Sequence, residues 1–171
     1  MLTKNFYSYM RAALQKTPAE FLQPDGLTTT KNLTSDQAPF KVMNTWASYS
    51  ETTGVSFGTG TTIATASDYR LENILNSEKI NVVTPSEVSF SRFGAYEEYS
   101  VTFGVTNKTT YPITISEVGL TAKPFYFANG NNYTHTYALV DRTVLDTPVT
   151  IPVGQSKQIT YTIRFNYGDA V

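Results

Sequence analysis

The chain has 171 residues, a formal net charge of −1, only 16% charged residues and no cysteine. That length suits one domain able to bury about 68–70% of its unfolded surface without a disulfide or a metal. The lack of cysteine excludes disulfide frameworks, zinc thiolate sites and cysteine nucleophiles, and the balanced charge, with no basic stripe, argues against nucleic acid as the main partner.

Twelve Tyr and ten Phe against one Trp, with abundant Thr and Val, favour strands and surfaces that are buried against neighbours. No apolar run approaches the roughly 18 residues of a membrane span. "MLTKNFYSYMRAALQK" lacks the continuous apolar stretch of a secretory signal. The sequons at Asn32, Asn107 and Asn132 are therefore read as accidental in a protein made in a reducing cytoplasm.

In chain order, Leu2, Phe6, Tyr9, Met10, Ala13 and Leu14 recur at helical spacing and predict an amphipathic helix over 2–14. Thr17-Pro18-Ala19-Glu20 reads as a second helix start, with Thr17 as N-cap and Glu20 closing a capping box, ended by Pro24-Asp25-Gly26. Residues 1–40 are read as an arm and loop, either folded on its own domain or docked on another subunit. The stretch 24–40 is turn-rich, a loop with or without a weak edge strand. "VSF" then ends a strand, Gly58 and Gly60 supply backbone torsions that other residues avoid, and Thr65 or Ser67 caps a short helical segment favoured by Asp68. Leu71, Ile74 and Leu75 pack that segment back on the body.

Strand patterns dominate the rest. "EVSFSRF" is one strand. "SVTFGVTN" places Val101, Phe103 and Val105 on one face. Asn107-Lys108-Thr109-Thr110 reads as a hairpin loop into "YPITISEVGL", with Ile113 and Ile115 inward and Thr114 and Ser116 outward. "HTYALVDRTVL" and "PVTIPV" are two strands, and Gly154 turns the chain into "QITYTIRFNYG", where Ile159, Tyr161, Ile163, Phe165 and Tyr167 share a face. The expected fold is all-β, an antiparallel β-sandwich of jelly-roll or immunoglobulin-like type over 41–171 with a short N-terminal helical arm.

Catalytic chemistry finds little support. A serine triad would need the single histidine, His135, with Asp141, and no G-x-S-x-G elbow accompanies them. Glu97 and Glu98 are neighbours on opposite faces of a strand, and Asp68 and Glu72 make two ligands at most, so no metal cage is expected. A cleft gathering Asp68, Glu72, Glu97, Glu98 or Asp141 is the one arrangement that would revive an enzyme. The glycine-threonine run at Gly58–Thr62 lacks the lysine of a phosphate loop and the third glycine of a dinucleotide loop. No catalytic residue, metal or cofactor is expected.

"GTGTTIATASDYRLEN", followed in order by "ITISEVGL" at 113–120, "ALVDRTVL" at 138–145 and "PVTIPVGQSKQITYTIRF" at 148–165, resembles the small β-rich structural proteins of tailed-bacteriophage virions, over about Gly54 to Phe165. The resemblance implies a subunit of the tail, neck or capsid surface. It would be assembled in the host cytoplasm, with itself and other virion proteins as partners, and it would have no catalytic site. Glu117 and Arg142, the charged members of two otherwise apolar strand motifs, then become candidates for an ion pair between strands. The arm residues Phe6, Tyr7, Tyr9 and Met10 and the aromatic run Phe125, Tyr126 and Phe127 become candidate subunit contacts, although Phe125 and Phe127 fit a core equally well. The alternative is a glycan- or receptor-binding module, in which Trp46 and exposed tyrosines stack on host-surface sugars.

Overall fold

The computed structural model describes residues 1–15, 19–31, 45–49, 52–85, 87–122, 125–128, 132–135 and 137–166; for 13–15, 31, 125–128 and 132–135 the backbone alone is described. The fold is all-β with antiparallel sheets and one helix among the described residues.

The helix α1 (Lys4–Gln15) buries Phe6, Tyr9 and Ala12. They join the same apolar cluster as the strands, so the N-terminal region packs on its own chain. Phe6 and Tyr9 therefore face inward and are not available as subunit contacts, a correction to the arm reading; Tyr7 and Met10 are the exposed members of that set. Asn5 fixes the next element: its Nδ2 donates to the Leu22 carbonyl at 2.8 Å and its Oδ1 accepts from Leu22 N at 2.7 Å.

The expected second helix is a strand instead. β1 (Ala19–Leu22) pairs with β2 (Thr28–Lys31), and Gly26 at φ +85° makes the turn between them. Burial overrides the capping pattern: Phe21 is wholly enclosed and packs edge-on to Tyr9, and only alternation keeps Glu20 in water. The proposed cap residues Thr17 and Pro18 lie outside the described residues, as does Tyr167.

Two larger sheets form the body. β3 (Gly54–Gly58), β7 (Ile113–Ala122) and β10 (Ala138–Ile151) run in the order β10-β7-β3. β6 (Tyr96–Asn107) is flanked on one side by β11 (Ser156–Asn166) and on the other by β4 (Ile80–Val83) and β5 (Ser89–Phe93). A small hairpin of β8 (Phe125–Ala128) and β9 (Asn132–His135) separates β7 from β10. Val55, Phe57, Leu120 and Val140 of the first sheet share one cluster with Val101, Phe103, Ile159 and Ile163 of the second. Phe57 and Phe103 meet edge-to-face at 5.5 Å.

The segment Asn107–Thr110 is not a hairpin loop, because β6 and β7 belong to different sheets. It crosses between them, as does the Gly154 turn between β10 and β11. Asn107 ties the crossings together: its Nδ2 donates to the carbonyls of Tyr111 and Ile151, and its backbone bonds Gln155 and Gly154. The two strands expected over 135–145 and 148–153 are one long strand from Ala138 to Ile151 with an irregularity between Val144 and Val149, while His135 belongs to β9.

Two slips in the alternation place the charged residues. Ile113 and Ile115 lie in the core, and so do Val118 and Leu120, so the phase of β7 reverses around Ser116. That reversal turns Glu117 away from the core, and it leaves Ser116 buried where it was expected outward. On β10 the register jumps across Val140, with Leu139 opposite Thr121 but Asp141 opposite Leu120. A bulge of this kind re-aims the side chains that follow it. Asp141 turns inward and Arg142 outward, to the same side as Glu117.

Candidate functional site

The outer side of the β10-β7-β3 sheet is covered by residues 59–75, which leave β3 and return beside it. Thr59 N donates to the Asn73 carbonyl at 2.9 Å, and Leu75 N to that of Phe57 at 2.8 Å. Leu71 lies on β7 at Gly119, where an added Cβ would come within 2.9 Å of its Cδ2. The segment Ser67–Leu75 forms no helix. Within it the amides of Glu72 and Asn73 are held by Glu117 of the sheet, and Asp68 closes a turn with Thr65 rather than favouring a helix start: Thr65 N donates to Oδ2 at 2.9 Å and Thr65 Oγ1 to Oδ1 at 2.8 Å. Leu71 and Leu75 are buried and Ile74 half-buried.

Glu117 and Arg142 stand at the centre. Arg142 Nε donates to Glu117 Oε2 at 2.8 Å, with Glu117 fully enclosed and Arg142 3% exposed. The strand register sets Arg142 opposite Gly119, so the two are diagonal neighbours on β10 and β7. Glu117 Oε1 also accepts from Gly60 N at 3.0 Å and Asn73 N at 2.9 Å, and Oε2 from Glu72 N at 3.1 Å. Arg142 Nη1 donates to Asp68 Oδ2 at 2.8 Å, and Nη2 donates to the Thr62 carbonyl at 3.1 Å and lies 3.7 Å from Glu72 Oε2. Glu72 Oε2 in turn accepts from Thr61 N and Thr62 N, both at 3.1 Å.

Three carboxylates thus surround one guanidinium, and backbone N–H groups balance the excess negative charge. Burial acts to raise the Asp68 carboxyl, but the Arg142 and Thr65 hydrogen bonds outweigh it and hold it below its ordinary value. The Thr62 N–H leads the causes that lower Glu72. Burial disfavours the Arg142 charge, yet its bonds to Asp68 and Glu117 leave it more firmly protonated than usual.

The glycines serve by their size. Neither Gly58 nor Gly60 has a positive φ, which corrects the torsional reading. A Cβ at either would sit 2.5 Å from Glu117 Oε1. The amides that a glycine-rich loop would offer to a phosphate are occupied here by the protein's own Glu117 and Glu72. A surface hollow of about 280 Å³, lined by Thr62, Asp68, Tyr69, Arg70, Leu71, Glu72 and Arg142, opens on this network. Each guanidinium nitrogen at its floor is already bonded.

The other candidates are dispersed. Asp141, on the opposite face of β10, accepts from Tyr161 Oη at 2.7 Å and lies 3.0 Å from the Met1 ammonium. Burial, followed by the Asp141 charge, pushes the Tyr161 hydroxyl well above its ordinary value. Glu97 pairs with Arg92, and Glu98 with Arg164, on the other sheet. Trp46 is half-buried against the core beside Val55, and is not an open platform for a sugar. Phe125, Tyr126, Phe127 and His135 lie on the β8–β9 hairpin, where the backbone alone is described. Among the described residues no group of three or more His, Cys, Asp or Glu could hold a metal, and no helix is long and apolar enough to cross a membrane.

Sequence reading missed the Asp141–Tyr161 bond and the Asn107 tie. Both rest on residues buried against a pattern that marks them polar or exposed. Comparison with protein-family models, curated proteins and solved structures found no match.

Proposed function

We propose that the chain is a structural subunit of a bacteriophage virion, placed at the tail, neck or capsid surface and working by protein–protein contact. We read its two core-sharing sheets as a sandwich of immunoglobulin-like or jelly-roll type. The observation that carries this reading is the convergence of the motifs that suggested it. Gly58, Gly60, Asp68, Glu117 and Arg142 come from three separate motifs, and all of them meet in one network that fixes a loop to a sheet. Within this network the charged side chains are committed to one another and to backbone amides, which suits a rigid building block better than a catalyst.

Two measurements test this reading. Protein mass spectrometry of purified particles of the phage that encodes the sequence is expected to find the chain in fixed, multiple copies. Analytical ultracentrifugation of the purified chain over a concentration series is expected to show self-association. A chain absent from particles and strictly monomeric sinks the reading, and binding of a polysaccharide array by such a monomer favours the glycan-binding alternative.

A further inference from the structure

The edges of the two sheets are treated unequally. β3 is short, and its outer edge is occupied: Val55 bonds Thr45 and Ala47, and Phe57 bonds Leu75. Residues Met1–Thr3 lie along the outer edge of β10 through Thr3 N to the Val140 carbonyl and Arg142 N to that of Met1. Beyond them β10 is irregular and carries Asp146 and Pro148. β4 and β5 are four and five residues long. These are the devices by which proteins blunt strand edges: shortness, cover, bulges, charge and proline.

β11 is neither short nor bulged nor interrupted by proline, no strand covers its outer edge among the described residues, and its charges lie towards its ends. It runs for 11 residues, Ser156 to Asn166, in unbroken register with β6. Its charges are Lys157 at one end and Arg164 towards the other, and the latter is engaged by Glu98 and stacked on Tyr96. The centre is neutral.

We propose that the outer edge of β11 is a self-pairing interface, where a second copy adds its own β11 antiparallel about a two-fold axis at Tyr161. Full overlap of the two strands demands that centre. It sets Thr160 opposite Thr162 of the partner subunit and Gln158 opposite Arg164 of the partner subunit, with no like charges facing. A parallel pairing would set Lys157 against its own copy and Arg164 against its own. The Thr–Thr pairs repeat a pattern already present on the same face, where Thr162 meets Ser100 and Thr160 meets Thr102, both at 2.8 Å. Cross-strand hydroxyl pairs of this type favour sheet extension. The ladder of the second sheet then continues from one copy into the next, an isologous contact. The proposal deepens the structural-subunit reading and rests on it.

Sedimentation of the wild type from micromolar to near-millimolar concentration is expected to reveal a dimer. Thr160→Lys/Thr162→Lys places like charges opposite one another twice and is expected to weaken the dimer about tenfold or more. An equimolar mixture with Thr160→Glu/Thr162→Glu is expected to restore association. These positions are exposed, and circular dichroism checks that both variants fold. Hydrogen exchange of the wild type gives a readout independent of any variant, since the β11 amides are expected to slow as concentration rises. A monomeric wild type, a dimer indifferent to the lysines, a mixture that fails to associate, or β11 exchange independent of concentration each overturns the proposal. Particles that incorporate the lysine variant normally overturn the edge pairing and leave the virion reading standing. A β11-paired dimer that never enters particles does the reverse.

Discussion

Arg142–Glu117 and Arg164–Glu98 both join a guanidinium to a carboxylate across neighbouring strands, yet one sits under a covering segment and the other in water. Arg164 bonds Glu98 from Nε at 2.8 Å and lies over the Tyr96 ring, with its side chain 53% exposed. Nothing else depends on that carboxylate among the contacts described. Glu117 serves Arg142 and three backbone amides at once, in a place that water does not reach. The difference lies in what is stranded when one partner goes. Water solvates a lone Glu98, whereas removing Glu117 leaves buried donors with no acceptor.

The largest expected effect is therefore at Glu117. Glu117→Ala should lower unfolding free energy by about 3–5 kcal/mol in urea titrations, the cost of breaking a buried pair. The paired change Glu117→Leu/Arg142→Met sharpens the contrast. An isolated buried ion pair often tolerates apolar replacement, but here the amides of Gly60, Glu72 and Asn73 still lose their acceptor, so the double variant should recover little. Recovery to near wild-type stability would mean that the guanidinium alone matters.

Gly60→Ala comes next, with an expected loss of about 1–3 kcal/mol from overpacking against Glu117 and Glu72. Thermal melts of Gly60→Ala beside Gly94→Ala, whose Cβ meets nothing within 4 Å, separate crowding from any general effect of losing a glycine.

Acid should act selectively on the same network. The folded-state values of Asp68 and Glu72 lie below their ordinary 3.8 and 4.5. Their contribution is thus present above those values and lost as pH falls through the depressed ones. Urea midpoints measured from pH 7 down to pH 2 should fall below about pH 4, and Asp68→Asn should start lower at neutral pH and fall less steeply. A variant with the wild-type acid slope would remove Asp68 from the account. The smallest effect is expected for Arg164→Gln, whose urea midpoint should match the wild type within the precision of the measurement, in low salt and high salt alike.

Much of the sheet structure was legible because alternation is a direct imprint of burial. Val101, Phe103 and Val105, and Ile159, Tyr161 and Ile163, face the core as their spacing requires. The helix was legible for the same reason, though not the direction of every residue on it. What sequence alone could not reveal were the departures from period two. In "ALVDR" strict alternation would put Arg142 on the face of Ala138 and Val140; the bulge at Val140 reverses that, and no local signal announces it. The strand β1 was hidden because Thr-Pro-x-Glu favours a helix start, while the burial of Phe21 that overrides it depends on a helix and a sheet elsewhere. Glu117 and Arg142 stood out as charges in apolar strands. Their links to Gly60, Glu72 and Asn73 needed the return of residues 59–75 across the sheet, whose second half, 67–75, reads as a short helix when only spacing is available.

The bonds that hold residues 59–75 in place span long stretches of chain: 57 residues between Gly60 and Glu117, and 74 between Asp68 and Arg142. They require β3, β7 and β10 to be aligned first, because the two slips in alternation aim the side chains only once the strands are paired. The covering segment should then lock after the rate-limiting step of folding, and act as a latch on the way out rather than a guide on the way in. In stopped-flow chevrons, Asp68→Asn should speed unfolding and leave the refolding limb nearly unmoved. A chain built this way would hold its shape through slow escape from the native state, a persistence set by kinetics more than by equilibrium.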